Sequence, residues 1–229
     1  MDWEESLKRA IGKADLCELL SCAFSYPDRR LSCALSDGSL AADAEACLID
    51  AGSCGNEAAQ AVADLCALQG AAVDDMLAAM RRTYSQLYLA PGGHTPIFPY
   101  ESAFLHVESG ASGVPVLFRT RTTLDVERSM REAGVTAKNA RKEPCDSVFE
   151  EFEFLSYLYA QQAEAIRVDG GDDAVLRDSQ VRAFLKDHAL VWLPSFMRRT
   201  AEQGAGPYAA LAGFATAVLA VLENEPQEA

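Results

Sequence analysis

The sequence predicts an all-α protein, with one globular, bundle-like domain of about ten helices spanning residues 1–229. β-Branched residues are few compared with alanine and leucine, and alternating patterns of the strand type are scarce. Apolar residues recur instead at spacings of three to five along most of the chain. They make up 49% of the residues, and charged residues make up 24%, which is the balance of a folded globular protein.

The predicted helices follow from this spacing and from the prolines and glycines between them. The first runs over 3–24, because the apolar residues Leu7, Ile11, Leu16 and Leu20 recur at spacings of four and five, and it ends before Pro27. The other predicted helices cover 39–51, 57–69, 73–89, 100–108, 117–133, 147–167, 174–187, 189–203 and 208–223. A proline-punctuated loop, residues 90–99, separates the first group from the second.

The segment 134–145 is polar and basic, and it is the best candidate for a hinge in the middle of the chain. If protomers exchange domains, the exchange would occur at this segment. The sequence leaves open a monomer or a domain-swapped dimer.

The charge balance excludes some classes of partner. With 20 Lys and Arg against 34 Asp and Glu, the net charge is −14, which argues against binding nucleic acid and favours cationic partners. The longest nearly apolar run, 209–222, is shorter than the ~20 residues that a membrane span needs, so we expect no membrane insertion. The acidic start of the chain does not resemble a signal peptide. We expect a cytoplasmic protein whose cysteines are reduced, with Cys17, Cys22 and Cys66 on apolar helix faces.

The start of the helix predicted at 147 is crowded with carboxylates. Ser147 and Glu150 have the spacing of a capping box, and Asp146 and Glu151 flank them. Capping and complementation of the helix dipole explain Asp146 and Glu150. The alternative is an acidic rim beside an apolar groove, which would suit a peptide bearing arginines followed by a hydrophobic stretch.

A second group of residues surrounds the proline-rich loop. Aromatic and proline residues precede Glu101 and Ser102, which would lie at the start of a short helix. Such a loop is either a stiff connector whose aromatic rings fill the core or a surface that exposes flat apolar area at low entropic cost. For a loop of this kind, taken by itself, the sequence favours the stiff connector.

Three blocks in order resemble the TorD/DmsD-type chaperones for molybdenum oxidoreductases, which are related to the NarJ group. The first block comprises Tyr84, Leu87, Tyr88, Pro91 and Pro99-Tyr100-Glu101-Ser102. The second is Glu143-Pro144-Cys145-Asp146-Ser147-Val148-Phe149-Glu150-Glu151-Phe152-Glu153-Phe154-Leu155. The third runs from Phe184-Leu185 through His188 and Trp192-Leu193-Pro194 to Phe196. Ser147 stands where the family has a histidine that belongs to its signal-peptide motif.

The resemblance implies a cytoplasmic chaperone without cofactor, metal or catalytic activity. Such a chaperone binds the twin-arginine signal peptide or the apo catalytic subunit of a molybdopterin-dependent oxidoreductase, and it delays export until the cofactor is inserted. A NarJ-like chaperone, whose client lacks an exported twin-arginine leader, is the alternative. The candidate binding residues are Pro99, Tyr100, Glu101, Ser102, Glu143, Asp146, Ser147, Glu150, Glu151, Phe154 and Trp192.

Within this set the roles differ. Glu101, Asp146, Glu150 and Glu151 would pair with arginines. Tyr100, Phe154 and Trp192 would form the apolar subsite, although Trp192 is equally compatible with plain core.

The main alternative interpretation is that the protein is an enzyme, and the sequence contains few residues that support it. His94, His106 and His188 are the only histidines, and no metalloprotease, nucleophile-elbow or P-loop pattern occurs. Gly92-Gly93 lacks a following lysine, so nucleotide binding is not favoured. We expect His188 at the surface or at a helix end.

Overall fold

The computed structural model describes residues 3–90, 95–136, 143–168 and 170–224. Within these ranges the chain forms eleven α-helices and one π-helical turn, and it has no β-strand beyond a single isolated bridge. The all-α prediction is confirmed. The helices are α1 Trp3–Phe24, α2 Arg29–Asp37, α3 Ser39–Asp50, α4 Gly55–Cys66, α5 Val73–Tyr88, α6 Glu101–Glu108, α7 Arg121–Glu132, α8 Val148–Arg167, α9 Gly171–Phe184, α10 Leu190–Gln203 and α11 Pro207–Glu223.

The centre of the fold is the long contact between α1 and α8, the most extensive helix pair in the described chain. Leu16, Leu20 and Phe24 of α1 are fully buried, and the Phe24 ring lies 6.5 Å from the Phe152 ring of α8. α8 carries buried side chains on several sides, as its wide apolar surface predicts. This placement puts the carboxylate-rich start of α8 next to α1.

Gly12 lets α1 approach α3 closely. A Cβ atom at this position would lie 2.6 Å from the backbone nitrogen of Ala51, which no real packing tolerates. The glycine therefore sits in the middle of a helix despite its low helix propensity, because the close contact requires it.

Helix α2 is not among the helices that the sequence predicts. Asp28 caps this helix, since its side chain accepts a hydrogen bond from the Leu31 N–H at 2.9 Å, and Gly38 ends it with a φ of 83°. Leu31 and Leu35, four residues apart, form its buried face. The capping residue and the four-residue spacing of the two leucines could have predicted this helix. The helix is short, however, and two apolar residues give only a weak periodic pattern.

The boundary predicted between 187 and 189 is also wrong. α9 continues through a π-helical turn, Leu185–Ala189, directly into α10, and Pro194 lies inside α10. A π-helical turn holds one more residue than an α-helical turn, and such turns are frequent at functional sites. It carries His188 into the interior of the protein.

Two of the three cysteines predicted on buried faces are exposed. Cys17 of α1 is buried. Cys22, on another face of α1, and Cys66, the last residue of α4, are exposed. Burial raises the pKa of the Cys17 thiol far above its ordinary value.

The predicted hinge 134–145 falls partly outside the described residues, which omit 137–142. At the start of the predicted hinge, Gly134 follows α7 with a φ of 87°. On the far side, the Ser147 N–H donates to the Pro144 carbonyl at 3.2 Å. A hinge or a domain exchange at this segment stays a prediction. No helix in the described ranges is long and apolar enough to cross a membrane.

Candidate functional site

The starts of α6 and α8 lie side by side. Tyr100 and Ser147 form an isolated antiparallel bridge, and the Val148 N–H donates to the Pro99 carbonyl at 3.0 Å. The Glu101 N–H donates to the Asp146 carbonyl at 2.8 Å. Two segments that are distant in the sequence, 99–102 and 143–154, therefore form one structural unit.

Asp146 is a buried helix cap. Its side chain is fully buried, and its Oδ2 accepts a hydrogen bond from the Ser102 N–H at 3.0 Å, which satisfies one free donor at the start of α6. Burial raises the pKa of this carboxyl above its ordinary value, although the bonds to Ser102 oppose that shift. The sequence expected Asp146 to serve the helix that follows it, but it caps the neighbouring one.

Ser147 caps α8, as its spacing predicts. The Glu150 N–H donates to Ser147 Oγ at 3.4 Å. The reciprocal half of the predicted capping box is absent here, because the Ser147 N–H donates to Pro144 instead. The Glu150 carboxylate is therefore not committed to the cap.

Glu151 lies in the interior, where it accepts a hydrogen bond from an indole. Trp192 Nε1 donates to its Oε2 at 2.9 Å, and both side chains are fully buried. Its other oxygen, Oε1, accepts no hydrogen bond from a described residue, and the Glu101 side chain lies beside the Glu151 carboxyl. Burial and the neighbouring Glu101 carboxylate raise the pKa of Glu151 well above its ordinary value.

Glu101 and His188 complete this group. His188 Nδ1 hydrogen-bonds Glu101 Oε2 at 2.9 Å, and His188 Nε2 lies 3.8 Å from an oxygen of Asp125. The expectation that His188 lies at the surface is wrong, since it is only 3% exposed. We call Glu101, Asp146, Glu151, His188 and Trp192 the buried polar cluster.

This burial corrects the predicted acidic rim. The side chains of Glu101, Asp146 and Glu151 are buried in the interior, so they cannot contact a peptide that binds at the surface of this structure. Trp192 belongs to the core, where its ring packs against Phe104 and Phe196 at 5.7 and 5.2 Å. Pro99 is also buried, and Ser102 is partly buried.

Other predicted residues do reach the surface. Glu143, Tyr100 and Glu150 are partly exposed, and the Tyr100 hydroxyl donates a hydrogen bond to Glu143. Burial and the neighbouring charges of Glu153 and Glu143 raise the pKa of Glu150 to about 7. These carboxylates lie on the outer side of the unit formed by α6 and α8.

A cleft of about 720 Å³ opens between α1, the end of α7 and the first turns of α8. Its lining residues are Glu18, Ser21, Cys22, Ser25, Met130, Val135, Thr136, Phe149, Glu150, Glu153, Phe154, Ser156 and Tyr157. We call it the acidic cleft, because its lining residues in the described part of the chain include three carboxylates and no lysine or arginine.

The two walls of the acidic cleft carry charge and its floor is apolar. Glu18 comes from α1, and Glu150 and Glu153 come from α8. Phe154, only 4% exposed, lies at the floor with other apolar side chains. The sequence analysis missed Glu18, because nothing in the sequence shows which face of α1 lies opposite α8. Such a cleft suits a peptide with cationic and apolar side chains.

The comparison with protein families decides the assignment. The model described as nitrate reductase delta subunit matches residues 54–198, well over half of the chain. The chain belongs to the nitrate reductase delta subunit family. This family comprises assembly chaperones of molybdoenzymes, which are not catalytic enzymes. No match was found among curated proteins.

Membership of the nitrate reductase delta subunit family confirms the resemblance to redox-enzyme maturation chaperones. The matched region includes the whole buried polar cluster and the lining residues that α7, the turn after it and α8 contribute to the acidic cleft. Helix α1, which supplies Glu18, lies outside it.

Proposed function

We propose that this chaperone binds the leader peptide of a molybdopterin-dependent oxidoreductase catalytic subunit in the acidic cleft. It acts in the cytoplasm, holds the apo subunit while the cofactor is inserted, and delays export until insertion is complete. The observation that carries the proposal is the pairing of an apolar floor with carboxylates on both walls.

Charge complementarity supports a peptide with arginines. A guanidinium can pair with a carboxylate through two parallel hydrogen bonds. Glu18 of α1 and Glu150 and Glu153 of α8 line the same cleft, so two arginines of one peptide could pair with carboxylates from two helices. The net charge of −14 adds long-range attraction for a cationic ligand.

The apolar floor supports the hydrophobic part of the same peptide. Met130, Val135, Phe149, Phe154 and Tyr157 come from two helices and the turn after α7. A leader with arginines beside a hydrophobic stretch presents both kinds of surface together. Helix-in-groove binding uses this combination.

The buried polar cluster has a supporting role in this proposal. It fixes the start of α8 against α6 and α10, and Glu150 and Glu153 project from the first two turns of α8. The buried members Asp146 and Glu151 therefore act through the position of α8, whereas Glu150 and Glu153 contact the peptide.

A second candidate function differs in the client. The family description names nitrate reductase, which favours a NarJ-like chaperone whose client subunit lacks an exported twin-arginine leader. In that case the acidic cleft would bind the basic N-terminal segment of a subunit that stays in the cytoplasm.

Calorimetric titration with the leader peptide tests the proposal. The peptide is the leader of a molybdopterin-dependent oxidoreductase catalytic subunit. We expect Glu150→Lys/Glu153→Lys to weaken binding at least about tenfold, because each reversal turns an attraction into a repulsion. The matched control is Asp43→Lys/Asp64→Lys, which makes the same change of net charge at exposed positions of α3 and α4.

The outcomes separate the alternatives. Equal loss in both double variants would reduce the effect to net charge and contradict the acidic cleft. Failure to bind the leader, with capture of the leader-free subunit, would favour the second candidate. A protein that binds neither would refute the chaperone assignment. A leader with lysines in place of arginines should bind more weakly, because an ammonium lacks the planar fork.

A further inference from the structure

The loop between α6 and α7 exposes an unusual amount of apolar surface. Val114 is 71% exposed, Val116 67% and Phe118 42%, and Leu124 in the first turns of α7 is 50% exposed. Scattered exposed apolar residues are ordinary, but several within eleven positions mark a contact surface.

Two of these residues, Phe118 and Leu124, line a separate cleft of about 750 Å³. It is lined by Phe118, Arg119, Thr123, Leu124, Glu127, Pro144 and Cys145, and we call it the loop cleft. It shares no lining residue with the acidic cleft. A function of the loop cleft is therefore independent of the proposed leader binding.

The loop cleft contains one arginine, Arg119, among its described lining residues. Residues 119–136 contain four arginines and three acidic residues. Within the described ranges Arg119 forms no ion pair, whereas Glu127 is engaged by Arg131 at 3.7 Å. The cleft thus offers apolar walls and one available cation, which fits an apolar side chain next to a carboxylate.

The same chain carries such a group on its surface. Trp3, in the first turn of α1, is 56% exposed, whereas Trp192 is fully buried. Glu4 follows it and forms no ion pair within the described residues, whereas Glu5 is bonded to Arg9 at 3.0 Å. Exposed tryptophans are the residues that contribute most to interfaces.

We propose that Trp3 of one copy inserts into the loop cleft of a second copy, where Glu4 pairs with Arg119. The contact joins Glu4, at the acidic start of α1, to Arg119, so local attraction opposes the repulsion between two copies of charge −14. If both copies contribute Trp3 reciprocally, the pair closes as a two-fold dimer. No helix is exchanged, which distinguishes it from a domain swap.

Sedimentation velocity over a concentration series, at physiological salt, tests the contact. We expect wild type to self-associate, and Trp3→Ala and Arg119→Glu each to weaken association at least about tenfold. The matched control is Arg82→Glu, at an exposed arginine of α5, which should leave association unchanged. The charge exchange Glu4→Arg with Arg119→Glu should restore it.

A mixing experiment makes the test specific. Trp3→Ala keeps an intact loop cleft and Arg119→Glu keeps an intact Trp3, so their mixture should associate more strongly than either variant alone. Trp3 fluorescence should shift to shorter wavelength as wild type associates, since Trp192 is already buried.

Three results would overturn the proposal. Wild type could remain monomeric up to its solubility limit, or it could associate with unchanged strength in both single variants. Alternatively, Arg119→Glu could reduce capture of the client subunit without changing self-association, which would assign the loop cleft to the client.

Discussion

Trp192→Phe tests whether the buried polar cluster stabilises the fold through the indole N–H. The substitution keeps an aromatic ring between Phe104 and Phe196 but removes the donor to Glu151 Oε2. Neither carboxyl oxygen of Glu151 then accepts a hydrogen bond from a described residue, because Oε1 already accepts none. An unsatisfied buried polar group is costly.

The magnitude follows from two contributions. A hydrogen bond to a charged group contributes about 1.5–3 kcal/mol, and the lower end applies because the pKa of Glu151 is raised by burial and by Glu101. The smaller ring leaves a cavity of about 40 Å³, which costs about 1 kcal/mol. We expect the free energy of unfolding to fall by about 2.5 kcal/mol, and the urea midpoint by about 1 M.

Urea unfolding of a double-mutant cycle isolates the hydrogen bond. Glu151→Leu combined with Trp192→Phe leaves no unpaired carboxyl, so the double variant should be more stable than the sum of the single losses by about 1 kcal/mol. Trp3→Phe is the matched control, at an exposed tryptophan, and should change stability by less than about 0.5 kcal/mol. Additive losses in the cycle would refute the coupling between Trp192 and Glu151.

Four further predictions concern titration and packing. The pKa of Glu151 is raised above its ordinary 4.5, so its contribution to stability is fully present below pH 4.5 and is lost as pH rises. The free energy of unfolding should therefore decline less with rising pH in Glu151→Gln than in wild type. Glu150 has a pKa of about 7 in the acidic cleft, so leader binding measured by calorimetry should weaken from pH 8 to pH 6, and less so in Glu150→Gln; a reversed trend would contradict its role. Gly12→Ala should lower the melting temperature, with a net cost of about 1–2 kcal/mol, whereas Gly213→Ala, with open space around it, should raise it. Asp146→Ala should lower the free energy of unfolding by about 1–2 kcal/mol by removing the cap of α6, and Asp146→Asn, which keeps an acceptor, should lose much less; equal losses would rule out capping as the cause.

Helix α1 lies outside the residues that the family model matches, and this affects the expected specificity for leader peptides. The acidic cleft has one wall from α8, inside the matched residues, and one from α1, outside them. Glu18 is therefore the position at which we expect related chaperones to differ in the leaders they bind. Glu18→Lys should weaken leader binding without disturbing the buried polar cluster, because Glu18 is exposed on α1.

The sequence by itself determined the helices and the motif segments. Helix formation depends on spacing, caps and breakers that are local, so the bounds of α1, α3 and α8 follow from nearby residues. The cap at Ser147 is local in the same way, since donor and acceptor are three residues apart. Helix α2 was not predicted, because a nine-residue helix with two buried leucines shows little apolar periodicity.

Only the tertiary structure decided which carboxylates are buried and which are exposed. Asp146, Glu150 and Glu151 lie within six residues of one another, yet Asp146 caps α6, Glu151 binds Trp192 and Glu150 lines the acidic cleft. The partners that decide these roles come from α6, α10 and α1, which are far away in the sequence. Helical periodicity gives the direction of a side chain relative to its own helix, but burial depends on which helix packs against that direction.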